Sequence, residues 1–417
     1  MSQTTALPDP WASPLQDIDF SNPDLFQQDA WRPYFQRLRE QSPVHYQENS
    51  PFGPFWSITR FEDIVEIERN WEVFSSSPTI AIGEFKLEDG VDDIPTFIAM
   101  DPPRHTEQRK AVQPVVASEN LAEMEKAIRA RVIEMLDALP VGETFDWVEH
   151  VSINLTTQML ALLFEFPFED RHKLAYWSDM TTAAPETAGG DADAGERTAA
   201  LQDCLQTFTR IWQQREGTDG GVDLIRLLQQ DPNTAGLVNS PLEYLGTLLL
   251  LIVGGNDTTR NSISGGVVAL NRFPHEYDKL RADTSLIPSL VSEIIRWQTP
   301  LSYMRRTATQ DCVFRDQAIK QGDKVVLWYI SANRDESVIE RADEFVIDRR
   351  NPRQHLSFGI GIHRCMGSRL AEMQLRVLWE EIMKRFIFVE LVEEPERVQS
   401  NFVHGYVSLP VRLHAKT

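Results

Sequence analysis

The sequence predicts a mainly α-helical fold with a minor β portion. Apolar residues recur at spacings of three and four over most of residues 104–300, which is the period of amphipathic helices. Short stretches typical of strands occur before and after that region. No low-complexity linker divides the 417 residues, so we expect a single domain over residues 1–417, with residues 1–20 forming a loosely ordered N-terminal arm.

The first hundred residues are predicted to mix helix and strand. The stretch AWRPYFQRLREQ (30–41) has the pattern of a short helix with a proline in its first turn. PVHYQE (43–48) and PFWSITR (54–60) flank a segment rich in proline and glycine, as the two strands of a hairpin do. FEDIVEIERNW (61–71) predicts a second helix, and residues 75–97 predict a long loop.

Helices dominate the predicted middle of the chain. LAEMEKAIRARVIEMLDAL (121–139) and SINLTTQMLALLF (152–164) both carry apolar residues at helical spacing. LGTLLLLIV (245–253) is the longest apolar run and only about half the length of a membrane span, so it predicts a buried helix. PETAGGDADAG (185–195) predicts a flexible loop between two surface helices.

The last hundred residues are predicted to begin with short strands, over CVFRDQAIKQGDKVVLWY (312–329). ADEFVIDRRNPRQHLSFG (342–359) predicts an irregular but structured stretch. SRLAEMQLRVLWEEIMKRF (368–386) predicts a strongly amphipathic helix. The apolar residues that this helix carries on one face are Ala371, Leu375, Leu378, Ile382 and Phe386.

Composition limits the class of protein. The chain has 41 basic and 62 acidic residues and a net charge of −21, which argues against a nucleic-acid binder or an anionic-membrane binder. Cys204, Cys312 and Cys365 are too few and too scattered for a disulfide framework, and they fit a reducing cytosol. The N-terminus lacks the basic flank and apolar core of a secretory signal. We therefore expect a soluble cytoplasmic protein without a membrane span.

The stretch FGIGIHRCMG (358–367) places one cysteine among three glycines. Structural zinc needs four Cys or His ligands, and Cys365 has only His363 nearby. A buried structural cysteine is the commoner alternative, but it does not explain the glycines, which let a backbone approach a flat, bulky group. Because a helix begins just after Cys365, its dipole and free N–H groups favour a thiolate, the form that an axial haem ligand needs.

This stretch resembles the haem-binding loop of cytochrome P-450 monooxygenases, F-x-x-G-x-H-x-C-x-G, at every fixed position. The resemblance implies the cytochrome P-450 fold: a triangular helical prism with a long central distal helix, and haem b between that helix and the helix after the cysteine loop. It also implies that Cys365 is the axial ligand of the iron, that Phe358 packs beside the sulfur and that His363 reaches a propionate. Gly361 and Gly367 are expected to give clearance.

The motif GGNDTT (254–259) follows the longest apolar run. Taken alone, it is equally typical of a weak point in a helix, where Asp and Thr cap the next turn. It also resembles the distal-helix motif of the same family, in which the glycines and the hydroxyl of Thr258 open the helix locally above the iron. Because splitting O₂ consumes protons, we assign proton delivery to Asp257 and Thr258, with Thr258 nearest the oxygen.

The stretch SEIIR places Glu293 and Arg296 three residues apart on a predicted helix. On its own such a pair is usually a solvated surface ion pair. Its position before the cysteine loop resembles that of the family's buried structural pair, whose third member is an arginine of the irregular stretch. Spacing favours Arg350 for this place, with Arg349 as the rival, and the implied role is scaffolding behind the haem.

A helix predicted after a Pro-Pro pair places His105 and Arg109 four residues apart on one face. A surface cation pair is the simpler explanation. A haem, however, has two propionates, and burying them requires cationic or hydrogen-donating partners. The resemblance implies that His105 and Arg109 supply these together with His363 and Arg306, and Arg305 is the alternative to Arg306.

The resemblance extends beyond the haem site. Stretches such as SPFGPFWSITRFEDI, TFIAMDPP and SEIIRWQTPLSYMRR are similar to bacterial terminal alkane and fatty-acid hydroxylases of the cytochrome P-450 superfamily. This implies hydroxylation at the terminal (ω) carbon of medium-chain alkanes, fatty acids or related linear apolar compounds. Because a primary C–H bond is stronger than its secondary neighbour, terminal attack also implies a narrow channel that admits only the chain end.

Seven residues are predicted to form the walls of this channel, and for each of them ordinary core packing is the alternative. They are Leu250, Val253 and Gly254, from helical spacing before the acid and the alcohol, and Ile82, Leu301, Met304 and Phe402, from the resemblance.

The chain has no flavin or dinucleotide-binding fingerprint, so its electrons must come from separate proteins. The resemblance implies a ferredoxin and a ferredoxin reductase, with NADH acting only through them and O₂ as co-substrate. Between Arg349 and Arg385 there are eight Lys/Arg and three Asp/Glu, which predicts a cationic patch for an acidic ferredoxin, with a solvated helix face as the alternative. We expect a monomer.

Three other functions stay open at this point. One is a cytochrome P-450 of a different substrate class, acting on terpenes or steroids. Another is a peroxygenase driven by H₂O₂, against which the intact acid–alcohol pair argues. The third is a haem gas sensor, which needs no proton relay and usually carries an output domain that this sequence lacks.

Overall fold

The computed structural model describes residues 6–84, 94–183, 190, 192–218 and 220–416. Most of these residues are helical, as the apolar periodicity predicts. In chain order the helices are α1 Pro23–Gln27, α2 Trp31–Gln41, α3 Phe61–Arg69, α4 Arg104–Val112, α5 Ser118–Asp137, α6 Asn154–Phe164, α7 His172–Thr182, α8 Ala194–Arg215, α9 Leu224–Gln230, α10 Pro241–Arg272, α11 Pro274–Ala282, α12 Ile287–Gln298, α13 Tyr329–Ala332 and α14 Ser368–Arg385.

The strands are short. In chain order they are β1 Val44–Gln47, β2 Phe55–Ile58, β3 Phe74–Ser75, β4 Thr144–Asp146, β5 Met304–Ala308, β6 Cys312–Phe314, β7 Gln317–Ile319, β8 Lys324–Leu327, β9 Phe386–Leu391, β10 Glu396–Arg397, β11 Tyr406–Ser408 and β12 Pro410–Ala415. The largest sheet has the order β1-β2-β8-β5-β3, in which β2 and β8 run parallel and the other pairs are antiparallel. A second sheet has the order β4-β12-β9, and β6-β7 and β10-β11 form two-stranded sheets.

The long helix α10 is the centre of the helical part. Its 32 residues span about 48 Å at 1.5 Å per residue. Helices α6, α7, α8, α12 and α14 pack around it, and the apolar side chains at these contacts form the largest buried cluster. A second buried cluster lies under the five-stranded sheet. The fold is therefore mainly α with a minor β portion, as predicted. The central helix α10 packs against α14, the helix that follows the cysteine loop.

The N-terminal segment is not a loose arm over its described part, residues 6–20. Ile18 and Phe20 are 1% and 0% exposed in a third apolar cluster with α2. Arg37 donates to the carbonyl oxygen of Pro10 at 2.7 Å, which ties the segment to that helix. Burial of these two large apolar side chains holds the backbone of the segment against the core, although the residues around them are polar and rich in proline.

The predicted helices at 30–41, 61–71, 121–139, 152–164 and 368–386 are confirmed, as is the strand pair before the second of them. Strand β4, which interrupts the helical middle, was not predicted, since three residues are too few for a recognisable pattern. The described residues of the predicted 75–97 loop contain strand β3 at its start and a short 3₁₀ turn at its end, with no helix or strand at 76–84 or 94–96. Most of the predicted 185–195 loop lies outside the described residues.

No helix in the described ranges combines the length and the apolar character that a membrane crossing needs.

Candidate active site

A cavity, partly open to solvent, lies between α10 and the start of α14. Most of its wall is apolar. The polar side chains that line one edge are Glu68, Arg109, Arg306, Tyr329 and His363.

Cys365 lies just before α14, and its side chain faces the cavity. Its backbone N–H donates to the carbonyl oxygen of Phe358 at 2.8 Å, which closes the loop, and the N–H groups of Gly367 and Ser368 point at the sulfur. Burial raises the pKa of the Cys365 thiol, and these N–H groups and the nearby guanidinium of Arg109 lower it only in part. The helix end therefore favours the thiolate but does not outweigh burial, and a bound metal cation would add to its effect.

Gly361 and Gly367 have different surroundings. Gly361 has a φ of +69°, and a Cβ there would lie 2.5 Å from the backbone oxygen of Glu68. A Cβ on Gly367 would meet nothing within 4 Å, and this residue lines the cavity. The expected clearance towards the cavity fits Gly367. Gly361 instead gives clearance to the end of α3, because its left-handed conformation and close contact both exclude a side chain.

His105 and His363 lie together at the polar edge, with 4.3 Å between their ring centroids. Burial lowers the pKa of both rings, to about 2 for His363, where Arg306 adds to the effect, so both rings are neutral. Both ring nitrogens of His105 and Nε2 of His363 have no hydrogen-bond partner in the part of the chain that the structure describes. Since buried polar atoms without partners are costly, this edge is suited to bind acceptor groups such as carboxylates.

Two arginines reach the same edge. Arg109 lines the cavity and donates to the carbonyl oxygen of Arg364 at 2.6 Å. Arg306 also lines the cavity and forms an ion pair of 2.9 Å with Glu68. Because side chains alternate along β5, Arg305 turns to the opposite face, so Arg306 is the arginine of this strand that faces the cavity.

The GGNDTT motif lies within α10, which is continuous from residue 254 to residue 259. The hydroxyl of Thr258 donates to the carbonyl oxygen of Gly254 at 3.1 Å, and both residues line the cavity. The expected local opening of the helix is absent from these residues, all of which the structure describes. Thr258 nevertheless lines the cavity.

Asp257 is fully buried, and its carboxylate faces α7 rather than the cavity. Oδ1 accepts hydrogen bonds from Ser178 at 3.0 Å and from Asn256 at 2.9 Å, and Oδ2 accepts one from Thr182 at 3.2 Å. Arg260 lies 3.3 Å from Oδ1. Consecutive residues of a helix are about 100° apart, so the predicted acid and alcohol project from different faces of α10.

Glu293 is fully buried and joins two arginines. It accepts a forked pair of hydrogen bonds from Arg296 at 2.7 and 2.8 Å, and a third from Nε of Arg349 at 2.9 Å. The prediction of Arg350 for this place is wrong, because its side chain is exposed. Arg349 is turned inward because it also donates to three backbone carbonyl oxygens within residues 340–344.

Four of the seven predicted channel residues line the cavity: Leu250, Gly254, Leu301 and Met304. The other three are not among the lining residues. Val253 is not in register with the cavity face that the i,i+4 series 250, 254 and 258 forms on α10. Ile82 is fully buried in the N-terminal apolar cluster, and the ring of Phe402 packs at 5.1 Å from that of Tyr303.

Sequence reasoning missed Glu68 and Tyr329. Glu68 is buried and accepts hydrogen bonds from Arg306 at 2.9 Å, from the hydroxyl of Tyr329 at 2.5 Å and from the backbone N–H of Ile360 at 2.9 Å. Burial raises the pKa of this carboxyl, and Arg306 opposes the rise. A glutamate on an amphipathic helix has the pattern of a surface residue, so no local signal could have shown that it supports the cysteine loop.

The residues that line this cavity fit a haem. In the described ranges no three His, Cys, Asp or Glu side chains lie close enough to hold a metal, so the single sulfur of Cys365 suits a metal that brings its other ligands with it. The unpartnered nitrogens of His105 and His363, together with Arg109, suit two propionates. The remaining wall is largely apolar. Fold and site together define a haem-thiolate protein.

The comparison with known proteins gives the family. The sequence profile of the cytochrome P-450 family matches residues 194–414, and the chain belongs to this family. It is accordingly an oxidoreductase of the monooxygenase type, and its family implies haem iron with a cysteine thiolate ligand and O₂ as co-substrate.

Three relatives cover nearly the whole chain. The linalool 8-monooxygenase of Pseudomonas putida is 35% identical over 96% of this chain and 100% of its own length. The methyl-branched lipid omega-hydroxylase of Mycobacterium tuberculosis is 32% identical over 95% of both chains. The solved structure of CYP153D17 from Sphingomonas sp. PAMC 26605 is 46% identical, covers 95% of this chain and 98% of its own, and superposes with a TM-score of 0.89. These relatives also confirm the predicted similarity to ω-hydroxylases.

Proposed function

We propose that the protein hydroxylates the terminal carbon of linear apolar compounds, with two electrons delivered by a ferredoxin. The observation that carries this proposal is the apolar wall beside Thr258, where Leu250, Leu301 and Met304 converge on the cavity. Such a wall gains free energy from each methylene that it removes from water, about 0.8 kcal/mol, and offers a hydrocarbon no charge to avoid. A relative named for omega-hydroxylation of methyl-branched lipids supports the position of attack.

The reaction inserts one atom of O₂ into a C–H bond and releases the other as water, so two electrons and two protons are consumed. A haem held by Cys365, with its propionates at His105, Arg109, His363 and Arg306, would supply the activation of oxygen. The chain itself must bind the hydrocarbon, exclude water and deliver the protons. Terminal attack further requires that the apolar walls admit the end of the substrate and hold back its inner methylenes.

Thr258 and Asp257 deliver the protons in this proposal. Thr258 lines the cavity, where its hydroxyl can donate a proton from Oγ1. It must then receive a second proton from the interior of the protein. Asp257 takes up the second proton on the α7 side, where the hydroxyls of Ser178 and Thr182 contact its carboxylate, and its side chain must turn from this face of α10 to pass the proton to Thr258. Arg260 lies between Asp257 and Asp179, whose side chain is 40% exposed, so the carboxylate of Asp257 is separated from the protein surface by one ion-paired arginine.

Replacing Thr258 by alanine is expected to lower the rate of hydroxylated product formation by about a hundredfold, because the proton donor on the cavity wall is lost. The consumption of NADH should fall less, and the difference should be found as hydrogen peroxide. Product per NADH and peroxide per NADH are the measurements. Thr247→Ala, which removes a buried hydroxyl of the same helix outside the cavity wall, serves as the control and should stay coupled.

A second candidate substrate class is the acyclic terpenoids. The observation that favours it is the 35% identity to a linalool 8-monooxygenase over nearly the full length of both chains. A branched chain needs a wider cavity near Thr258 than an unbranched chain does. The two classes are therefore separated by turnover, as in the product experiment below.

The ferredoxin is proposed to bind at the surface around the cysteine loop. Five of the eight basic residues between Arg349 and Arg385 are engaged with carboxylates, several of them from other helices. Arg350, Arg364 and Arg369 are exposed, and no carboxylate of the described residues pairs with them. The cationic patch is therefore smaller than the sequence count predicts, and Arg364 and Arg369 next to Cys365 are its main members. Their charge would attract an acidic partner.

Product analysis tests the proposed function. With NADH, a surrogate ferredoxin and a ferredoxin reductase, octane and dodecanoic acid are expected to give mainly terminal alcohols, identified by gas chromatography and mass spectrometry. Mainly subterminal alcohols would contradict the narrow channel. Turnover with hydrogen peroxide alone, at the rate of the full system, would contradict the need for a ferredoxin. Linalool consumed much faster than both substrates would favour the terpenoid class.

A variant of the channel sharpens this test. Leu250→Ala is expected to raise the subterminal share of the octane products, because it widens the cavity on the face of α10 that also carries Thr258. Val253→Ala removes a similar volume from the same helix outside the cavity lining, and it should leave the product distribution unchanged. Equal shifts in both variants would show that the wall at Leu250 does not control the position of attack.

A further inference from the structure

Asn256, between the second glycine and the acid of the GGNDTT motif, is fully buried and hydrogen-bonded on both sides. Its Oδ1 accepts from the hydroxyl of Thr156 on α6 at 2.8 Å. Its Nδ2 donates to Oδ1 of Asp257 at 2.9 Å. The family motif leaves this position open to any residue, so the sequence assigns Asn256 no role. The structure connects it to the group proposed to supply protons.

The surroundings of Asn256 fix the orientation of its amide. Asp257 Oδ1 also accepts the hydroxyl proton of Ser178, so the amide turns its NH₂ group towards Asp257 and its oxygen towards Thr156. The single hydroxyl proton of Thr156 is shared between that oxygen, at 2.8 Å, and the backbone carbonyl oxygen of Ser152, at 3.0 Å. Helix α6 comes near enough for this contact because Gly255 has no side chain: a Cβ there would lie 2.7 Å from Leu160.

The donors around Asp257 come from two helices. Ser178 and Thr182 belong to α7, whereas Asn256 and Arg260 belong to α10, the helix of Asp257 itself. Any displacement of α7 relative to α10 weakens the first pair and leaves the second pair in place. Arg260 is also shared with Asp179, so Asn256 is the neutral donor that stays with the carboxylate.

We propose that Asn256 is a positioning residue for proton delivery. Supported by Thr156, it holds the carboxylate of Asp257 in the observed orientation on the α7 side, where the carboxylate takes up protons before they are passed on to Thr258. This inference rests on the proposed roles of Asp257 and Thr258. It adds the hydrogen bond between Thr156 on α6 and Asn256. Neither residue lines the cavity, so loss of this hydrogen bond should spare the binding of haem and of substrate.

The variant Asn256→Ala tests the inference. We expect the rate of product formation to fall about ten- to a hundredfold, because a hydrogen bond to a charged group is lost. The solvent deuterium isotope effect on product formation should rise and the pH profile should shift, since proton delivery becomes slower than the other steps. Haem content, the CO-difference spectrum and the substrate-induced spectral shift should match those of the wild type.

Two further variants separate positioning from loss of structure. Asn261→Ala removes another buried asparagine of α10, which accepts from the backbone N–H of Tyr406 at 3.1 Å and does not contact Asp257. It should lower the melting temperature without changing the isotope effect. Thr156→Val keeps the shape of the side chain, removes the hydroxyl that orients Asn256, and should reproduce the isotope effect and pH shift in weaker form.

A double-mutant cycle completes the test. In an Asp257→Asn background, Asn256→Ala should cause no further loss of product formation, because its effect passes through Asp257. An Asn256→Ala enzyme as well coupled as the wild type, or full additivity with Asp257→Asn, would overturn the inference alone. A wild type that forms no hydroxylated product from any of the substrates tested above would overturn the proposed function, and the inference with it.

Discussion

Replacing Cys365 by alanine should abolish hydroxylation, because the only cysteine that lines the cavity in the described part of the chain is lost. The reduced, CO-bound protein should lose the absorption band at ~450 nm that thiolate ligation gives. Both effects are measured on purified protein, with the haem content determined separately. The CO-bound spectrum therefore reports the ligand even where the haem stays in the cavity.

Cys312→Ala is the matched control, because that thiol is partly exposed on the small β6-β7 hairpin and distant in sequence from the cysteine loop. It should leave both the spectrum and the activity unchanged. A Cys365→Ala protein that keeps the ~450 nm band would show that another residue ligates the iron.

Replacing Glu293 by alanine should cost about 3–5 kcal/mol of the free energy of unfolding, because two buried guanidinium groups lose their counter-ion. Arg296 is 1% exposed and Arg349 is 9% exposed, so water cannot readily solvate either charge. The backbone N–H of Val346 loses its acceptor as well. The loss is expected as a lower denaturant midpoint and as poor haem retention at room temperature.

Glu344→Ala provides the comparison for Glu293→Ala. Glu344 pairs with Arg341 in the same irregular stretch, and both side chains are 48% exposed, so its removal should cost at most about 1 kcal/mol. Equal denaturant midpoints for the two variants would contradict the scaffolding role of Glu293. The comparison holds the residue type and the kind of partner constant and changes the burial of the ion pair.

Most of the fold could be predicted from local patterns. The long helices were found because each carries an apolar face of many residues, which a single exception does not obscure. The three-residue strand β4 and the docked N-terminal segment could not be found in this way. In both cases the structure depends on a partner far along the chain, β12 for the strand and α2 for Ile18 and Phe20.

The candidate site was predictable to the extent that its residues belong to motifs. Cys365, Thr258, Arg109 and His363 carry the motif pattern, and the structure brings them to one cavity. The direction of a side chain was not predictable in irregular backbone, so the place given to Arg350 belongs to Arg349.

Other residues of the site had no local signal at all. The carboxylate of Asp257 was not expected to face α7, and Asn256 and Glu68 were not expected to have any role. For all three, the deciding contacts are with side chains that lie far away in sequence.

Gly361 contacts the end of α3, so the shape of the cysteine loop depends on residues that are far away in sequence. The N–H of Ile360 is held by Glu68, 292 residues earlier, and the propionate edge draws on His105 and Arg109. None of these three earlier residues lies in the stretch 194–414 that identifies the family. A fragment limited to that stretch would contain the cysteine and its motif without the partners that shape the loop. The capture of haem is therefore tied to completion of the whole fold.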